Sequence, residues 1–307
     1  MKNSHTTRGT KKSPYEIITD LIIERLEQGE IPWHKPWNTL GHGAANFISK
    51  KEYRGINALI LNSIWSQPHF LTFNQTKKLG GTVKKGSKST PVTYWNFIYL
   101  DKDGKKIPDN ERLSRASDIV NRRAFLRIYR VFNQDQIEGI EFPEPPKDII
   151  DEDQRIKRCE SLVDKMPKKP KLQHVEAAAY YHPRQDFVNM PAFGTFNNPQ
   201  SYYQTLFHEL AHSTGHESRL AREGIMKGTM FGTRDYSFEE LVAELTASFV
   251  SNKMMIDTEP ILENTAAYIQ GWLKKLNDDP QFIIKASTHA TKAADWILGK
   301  VTETVSI

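Results

Sequence analysis

A single cysteine, Cys159, in 307 residues is the first constraint. No internal disulfide can form and no cysteine-ligated zinc ribbon can be built. A reducing cytoplasm is therefore the expected compartment. Long apolar runs are absent too: none approaches the ~18 residues of a membrane helix. The polar, basic stretch from Met1 to Ser13 has no apolar segment behind it, which argues against a secretory signal and for a frayed tail. Internal repeats and low-complexity tracts are missing, and so is an even spread of charge. Residues 1–150 hold 24 Lys and Arg against 16 Asp and Glu, whereas the remainder holds 18 against 21. The basic surplus belongs to the N-terminal half, and the length favours two domains.

The most informative feature present is His208-Glu209-Leu210-Ala211-His212, which reads HExxH. On a helix, side chains at i and i+4 share a face, so both imidazoles can reach one metal ion. Glu209 sits one residue round, placed to act as a base toward water at that metal. Tyr202, Tyr203, Leu206, Phe207, Leu210 and Ala211 supply the apolar pattern that predicts the helix. A catalytic zinc site keeps three protein ligands and one open position, so a third ligand must be found. His216 is one candidate, though it suits a loop or substrate-cleft position better. The other is the run Glu239 to Glu244, which opens a segment that reads as strongly amphipathic. A histidine six residues after His212 would be the metzincin arrangement, but Ser218 stands there. The remaining pattern is that of the gluzincins, with a carboxylate from a second helix. It makes Glu240 the ligand and Glu244 the residue that orients a ligating imidazole; Glu244 as the ligand itself is a variant of the same reading. Zinc is favoured by two imidazoles and a carboxylate, and manganese or cobalt suits the same set. Tyr236 is a candidate hydrogen-bond donor to an oxyanion or a residue of the cleft. Ala179 to Pro183 and Asp186 to Pro191 read as two short strands joined by a turn, candidates for an edge that holds an extended peptide.

The N-terminal half opens on a helix capped by Ser13-Pro14, carrying Ile17, Ile18, Leu21, Ile22 and Leu26 and ended by Gly29. A second helix is predicted over Ala58 to Ile64, strands over Thr90 to Leu100 and Arg122 to Phe132, and a turn at Asp103-Gly104. Trp33, Trp37, Tyr53, Tyr94 and Trp95 alternate with Lys35, Arg54, Lys84, Lys85, Lys88, Arg123 and Arg127. That mixture suits single-stranded nucleic acid, with cations for phosphates and rings for unstacked bases. Alternation on a strand puts one of Tyr94 and Trp95 on the core side, and Trp33 and Trp37 suit pinning the chain after the first helix equally well. Phe142 to Lys147 is Pro-rich and precedes an acidic stretch to Asp153, a plausible linker. A short helix around Arg155 to Asp164 and a Pro/Lys cluster from Met166 to Lys171 follow it.

These motifs carry a family resemblance. Tyr15-Glu16-Ile17-Ile18-Thr19, Gly29-Glu30-Ile31-Pro32-Trp33 with Lys35-Pro36-Trp37, Tyr53-Arg54-Gly55-Ile56-Asn57, Leu79-Gly80-Gly81 with Val83-Lys84-Lys85-Gly86, and Val131-Phe132-Asn133 resemble the single-stranded-DNA-binding domain of ArdC-type antirestriction proteins, also found at the front of TraC-type plasmid primases. The stretch Tyr202 to His216, Arg219-Leu220, Glu239 to Glu244 and Tyr268-Ile269-x-Gly271-Trp272 resembles the zincin-type metallopeptidase domain that accompanies it. The resemblance implies an α+β chain of two domains. A flexible tail (1–13) would precede an N-terminal α+β ssDNA-binding domain (14–141), a linker with a short helix (142–170) and a C-terminal zincin-like metallopeptidase domain (171–307). It carries the DNA role to the N-terminal motifs, Asn57 included, and the metal role to His208, His212 and a glutamate of the 239–244 run. It implies a cytoplasmic protein of a plasmid or other mobile element that shields incoming single-stranded DNA from host restriction, with a host protein as a further possible substrate. Two other readings stay open: a plain metallopeptidase whose N-terminal half recognises protein, and a non-catalytic DNA-binding protein with a structural metal.

Overall fold

The computed structural model describes residues 12–34, 43–143, 151–226, 233–256 and 265–300. Helix α1 (Pro14–Glu27) starts on a capping box: Ser13 Oγ accepts from the Glu16 N–H at 3.2 Å, and Glu16 Oε2 accepts from the Ser13 N–H at 2.6 Å. Gly29, at φ +80°, follows its end. Helix α2 (Ile56–Ile64) begins two residues before the predicted start, directly after Gly55. Helix α3 (Phe73–Lys78) carries a second capping box from Thr72 and Gln75. The strands of this half are β1 (Ala45–Asn46), β2 (His69–Thr72), β3 (Thr82–Val83), β4 (Thr90–Leu100), β5 (Lys106–Ile107), β6 (Asn121–Asn133) and β7 (Ile137–Glu138). Five form a sheet in the order β1-β2-β6-β4-β5, while β3 and β7 pair separately. The turn predicted at Asp103-Gly104 joins β4 to β5, with Asp101 Oδ1 accepting from the N–H groups of Asp103 and Lys105.

In the second half, α4 (Glu152–Lys165) is longer than predicted because Asp151 caps it, accepting from the Gln154 N–H at 2.8 Å. The sheet β8 (Lys171–Gln173), β9 (Tyr180–His182) and β10 (Phe187–Asn189) runs in the order β8-β10-β9, with β9 on the edge. Helices α5 (Pro199–Ser213), α6 (Glu223–Met226), α7 (Arg234–Met254), α8 (Thr265–Asp278) and α9 (Phe282–Ile297) complete it. Helix α7 corrects an expectation. It is not strongly amphipathic: Ser237, Glu239, Leu241, Val242, Ala243, Leu245, Thr246, Ala247, Ser248, Val250 and Ser251 are all buried. Packing against α5 and α9 on different sides, it has little free face to be polar. No described helix is long and apolar enough to cross a membrane.

The largest core ignores the boundary between the halves. Ile18, Ile22 and Leu26 of α1 and Leu59 and Ile60 of α2 form one cluster with Leu241, Val242 and Leu245 of α7 and Ile283 and Ile284 of α9. Thr19 Oγ1 also donates to the Pro280 carbonyl at 2.7 Å, and Lys253 pairs with Glu52. Gly55 is pressed into this seam. Its φ is +56°, and a Cβ there would sit 2.9 Å from Thr291 Oγ1. Gly55→Ala is expected to lower stability by roughly 2–3 kcal/mol, from backbone strain and the clash together. A shift of the urea midpoint corresponding to less than about 0.5 kcal/mol would show that the seam yields at no cost.

Candidate metal centre and nucleic-acid face

Helix α5 is positioned by its cap and its greasy side. Asn198 Oδ1 accepts from the Ser201 N–H at 2.7 Å, and Pro199 fills the first turn. Tyr202, Tyr203, Leu206, Phe207 and Leu210 bury themselves with Val188 of the small sheet, with Met190 just after it and with α4. His208 and His212 are thereby turned toward α7. Their Nε2 atoms lie 3.1 Å apart, and Glu240 reaches both, with Oε2 3.6 Å from His208 Nε2 and Oε1 3.6 Å from His212 Nε2. One ligand atom from each of the three lies within 4.8 Å of the others. Donor atoms about 2.0–2.2 Å from a common ion at tetrahedral angles lie roughly 3.3–3.6 Å apart, so the set fits a divalent cation.

The trio borders a cleft of about 430 Å³ that is also lined by Glu209, Tyr236, Glu239, Ala179 and, from the edge strand, Tyr180 and Tyr181. Burial alone would raise the Glu240 carboxyl, but the two imidazoles and the Tyr236 hydroxyl hold it below its ordinary value. Burial works against a charged His208, yet Glu240 and Glu209 overcome it and raise that imidazole. Tyr236 is pushed up to about 12 by burial and the neighbouring carboxylates, Glu240 first, so its hydroxyl stays a donor.

The residue that orients an imidazole is not the expected one. Glu244 is engaged elsewhere, accepting from Trp33 Nε1 at 2.7 Å and from the Tyr268 hydroxyl. Glu239 takes the orienting place: its Oε1 lies 3.5 Å from His212 Nδ1, opposite the nitrogen that faces Glu240. Arg222 fixes Glu239 with two hydrogen bonds and spends its other donors on Thr214 Oγ1 at 2.6 Å and the Ala211 carbonyl at 2.8 Å. Both partners are about 95% buried. Glu239 was legible in principle, since adjacent glutamates on a helix point about 100° apart and one must turn inward to a buried cation. Arg222 was not, because nothing in its spacing announces it. His216 stands outside the metal trio. Its Nδ1 lies 2.9 Å from Ser218 Oγ, and it lines a neighbouring cavity with His182, Arg184 and Glu217.

On the N-terminal half, β4 and β6 form an antiparallel ladder of eleven pairs from Thr90–Val131 to Leu100–Asn121. Residues 121–125 of β6 are all exposed, so the outer part of the ladder stands clear of the core. Alternation places Tyr94, Phe125, Arg123, Arg127 and Tyr129 on one face and Trp95, Phe97, Tyr99 and Arg122 on the other. Tyr94 meets Tyr129 edge-on at 6.2 Å, and the Arg127 and Arg122 guanidiniums lie over Tyr129 and Phe97.

Several predicted DNA residues land elsewhere. Tyr94 is 62% and Trp95 41% exposed, so neither faces the core as strand alternation suggested. Trp33 is 1% exposed, which removes it from any base-stacking surface; its ring edge meets Trp272 at 6.0 Å. Asn57 is also structural: its amide accepts from the Thr93 N–H and donates to the Thr93 carbonyl, both at 2.7 Å. Tyr53 is half-buried against Phe70, and Arg54 pairs with Asp295 in the seam. Lys84 donates to the Asp135 carbonyl at 2.8 Å, leaving Lys85 and Lys88 as exposed cations beside it. Lys35 and Trp37 lie outside the described residues. Phe97, Tyr99, Arg122, Phe125, Tyr129 and Arg130 were missed because alternation along a strand does not show whether a face is covered.

Two family descriptions match the chain in order: "N-terminal domain of anti-restriction factor ArdC" over residues 12–132 and "Zincin-like metallopeptidase" over residues 157–289. The antirestriction ArdC protein of plasmid R388 has a similar structure. Its metal-free form superposes with a TM-score of 0.71 at 30% identity, covering 94% of this chain and 99% of ArdC; its Mn(II)-bound form gives 0.70. Protein y4eC of Sinorhizobium fredii (strain NBRC 101917 / NGR234) is 32% identical over 306 residues, 95% of this chain and 94% of y4eC. A DNA primase TraC of Escherichia coli is 32% identical over 297 residues, 94% of this chain, and a second is 31% identical over 307. The chain spans only 20% and 27% of these two primases. The second half thus belongs to the zincin-like metallopeptidases by fold and motif. The chain as a whole belongs to the ArdC family of antirestriction proteins.

Proposed function

We propose that this protein is carried by a mobile element, binds single-stranded DNA without sequence preference through its N-terminal half, and holds zinc in a peptidase-type site in its C-terminal half. Together these protect entering DNA from host restriction in the cytoplasm. The observation that carries the reading is the presence, in one packed chain, of the exposed aromatic–arginine ladder and the convergent His208, His212 and Glu240.

Bound there, a zinc ion would polarise a carbonyl and lower the pKa of water to about 7. Glu209, one residue round from His208 and mostly buried, accepts the proton of the attacking water at its carboxylate and returns it to the leaving amine. The Tyr236 hydroxyl, held beside Glu240, donates to the developing oxyanion. The free edge of β9 offers backbone groups to an extended peptide along the cleft. Glu239 and Arg222 keep the His212 ring turned toward the ion.

The test is binding of the full chain to single- and double-stranded oligonucleotides across a salt series. Preference for the single strand is expected, with log affinity falling by about 0.7 per phosphate contact for each decade of salt. Tyr94→Ala and Tyr129→Ala should each weaken binding by about 1–3 kcal/mol, the worth of one stacked base. Salt-independent binding, or none, would leave a metallopeptidase whose first half recognises protein.

A further inference from the structure

Glu244 is a charged group with no part in the chemistry just described. It lies on α7 one turn beyond Glu240 and two beyond Tyr236, so the three side chains share one face of the helix. Its Oε2 accepts from Trp33 Nε1 at 2.7 Å and from the Tyr268 hydroxyl, and His34 Nε2 lies 3.7 Å away. Tyr268 and Trp33 also touch each other, with the hydroxyl 3.0 Å from Nε1. Trp33 and His34 come from the N-terminal half, Tyr268 from α8. Three parts of the chain therefore meet on one carboxylate beside the metal helix.

We propose that Glu244 is a positioning residue for the metal centre, through which Trp33 and Tyr268 fix where Glu240 meets the two histidines. This rests on the metal reading above. Helix α7 has buried neighbours on most sides, but apolar packing is non-directional and fixes its rotation and axial height loosely. Hydrogen bonds with defined angles do so sharply. A rotation of α7 by a few degrees moves a side chain as long as glutamate by several tenths of an ångström at its oxygens, enough to loosen one ligand of three. The donors are dependable: burial first, then the carboxylate itself, holds the Tyr268 hydroxyl well above its ordinary value, so it stays protonated. The charge contributes as well. One turn from Glu240 on the same face, the Glu244 carboxylate adds negative charge on the side of the helix that a cation would meet.

A residue needed only for folding would lower stability and leave the metal affinity of the folded chain unchanged. Glu244→Gln removes the charge but keeps an acceptor of the same shape, and Tyr268→Phe removes one donor and keeps the ring. The full chain, stripped of metal, would be titrated with Co²⁺ against a chromophoric chelator, with the d–d absorption band recorded and folding checked by circular dichroism. Each variant is expected to bind Co²⁺ about tenfold more weakly, with a weaker or shifted band as Glu240 loses its alignment. Folded variants with affinity within twofold of the parent and an identical band would overturn the proposal. If Glu244→Gln does not fold, Tyr268→Phe decides alone. A parent chain that binds no Co²⁺ would sink the metal reading itself, which is a different result from a parent that binds while its variants match it.

Discussion

Glu209→Gln is expected to lower the turnover of a quenched-fluorescent peptide library by the zinc-loaded chain by about 10²–10⁴-fold, the usual worth of a positioned general base. Fold and metal content should be unchanged. The expectation follows from placement. Glu209 is 9% exposed yet borders the same cleft as His208, His212 and Glu240. It touches the space where water would be activated without serving as a ligand. Glutamine matches its shape and cannot take a proton. Metal content by atomic absorption and rate on the same sample check both halves of the statement. A rate unchanged while zinc stays bound would place the base elsewhere; a parent without turnover would favour a structural metal in a DNA-binding protein.

Arg222→Met should be the most damaging single change to stability, at about 3–5 kcal/mol, because it leaves the Glu239 carboxylate buried and unpaired. Arg222 makes four hydrogen bonds there, two of them to Glu239. Adding Glu239→Leu to Arg222→Met removes the orphaned charge and should restore much of the loss. It should not restore the metal site, since His212 Nδ1 would then have no carboxylate to hold its ring. Urea unfolding and chelator competition on the two variants separate these effects. If stability and metal affinity recover together, Glu239 holds the fold and not the imidazole.

What could be read from the sequence is local, and what could not is long-range. The HExxH helix, the Ser13 cap, the 90–100 strand and the 103–104 turn each follow from residues within a few positions of one another. Glu240 reaches the two histidines because α7 packs on α5, and a short list of carboxylates made it a fair choice. Glu244 and Trp33 misled for one reason: each is a polar or aromatic residue in a motif-like context, and its true partner lies 211 residues away. Trp33-His34 beside lysine resembles a base-stacking motif until the partly buried carboxylate it meets is known. The ladder residues escaped for the converse reason. Alternation tells which side chains share a face but not whether that face is covered, and the outer ladder is uncovered on both sides.

Because Ile18, Ile22 and Leu26 share one core with Leu241, Val242 and Ile283, neither half can be traded by recombination without leaving its partner a surface it does not match. The pair is best inherited as one piece. It can be set whole into a longer polypeptide, as in TraC, where a similarity of 297 residues covers 94% of this chain. Domain shuffling, which usually cuts between separately packed units, would here cut through a core. Whatever selects for one half therefore carries the other along, even through generations in which only one is used.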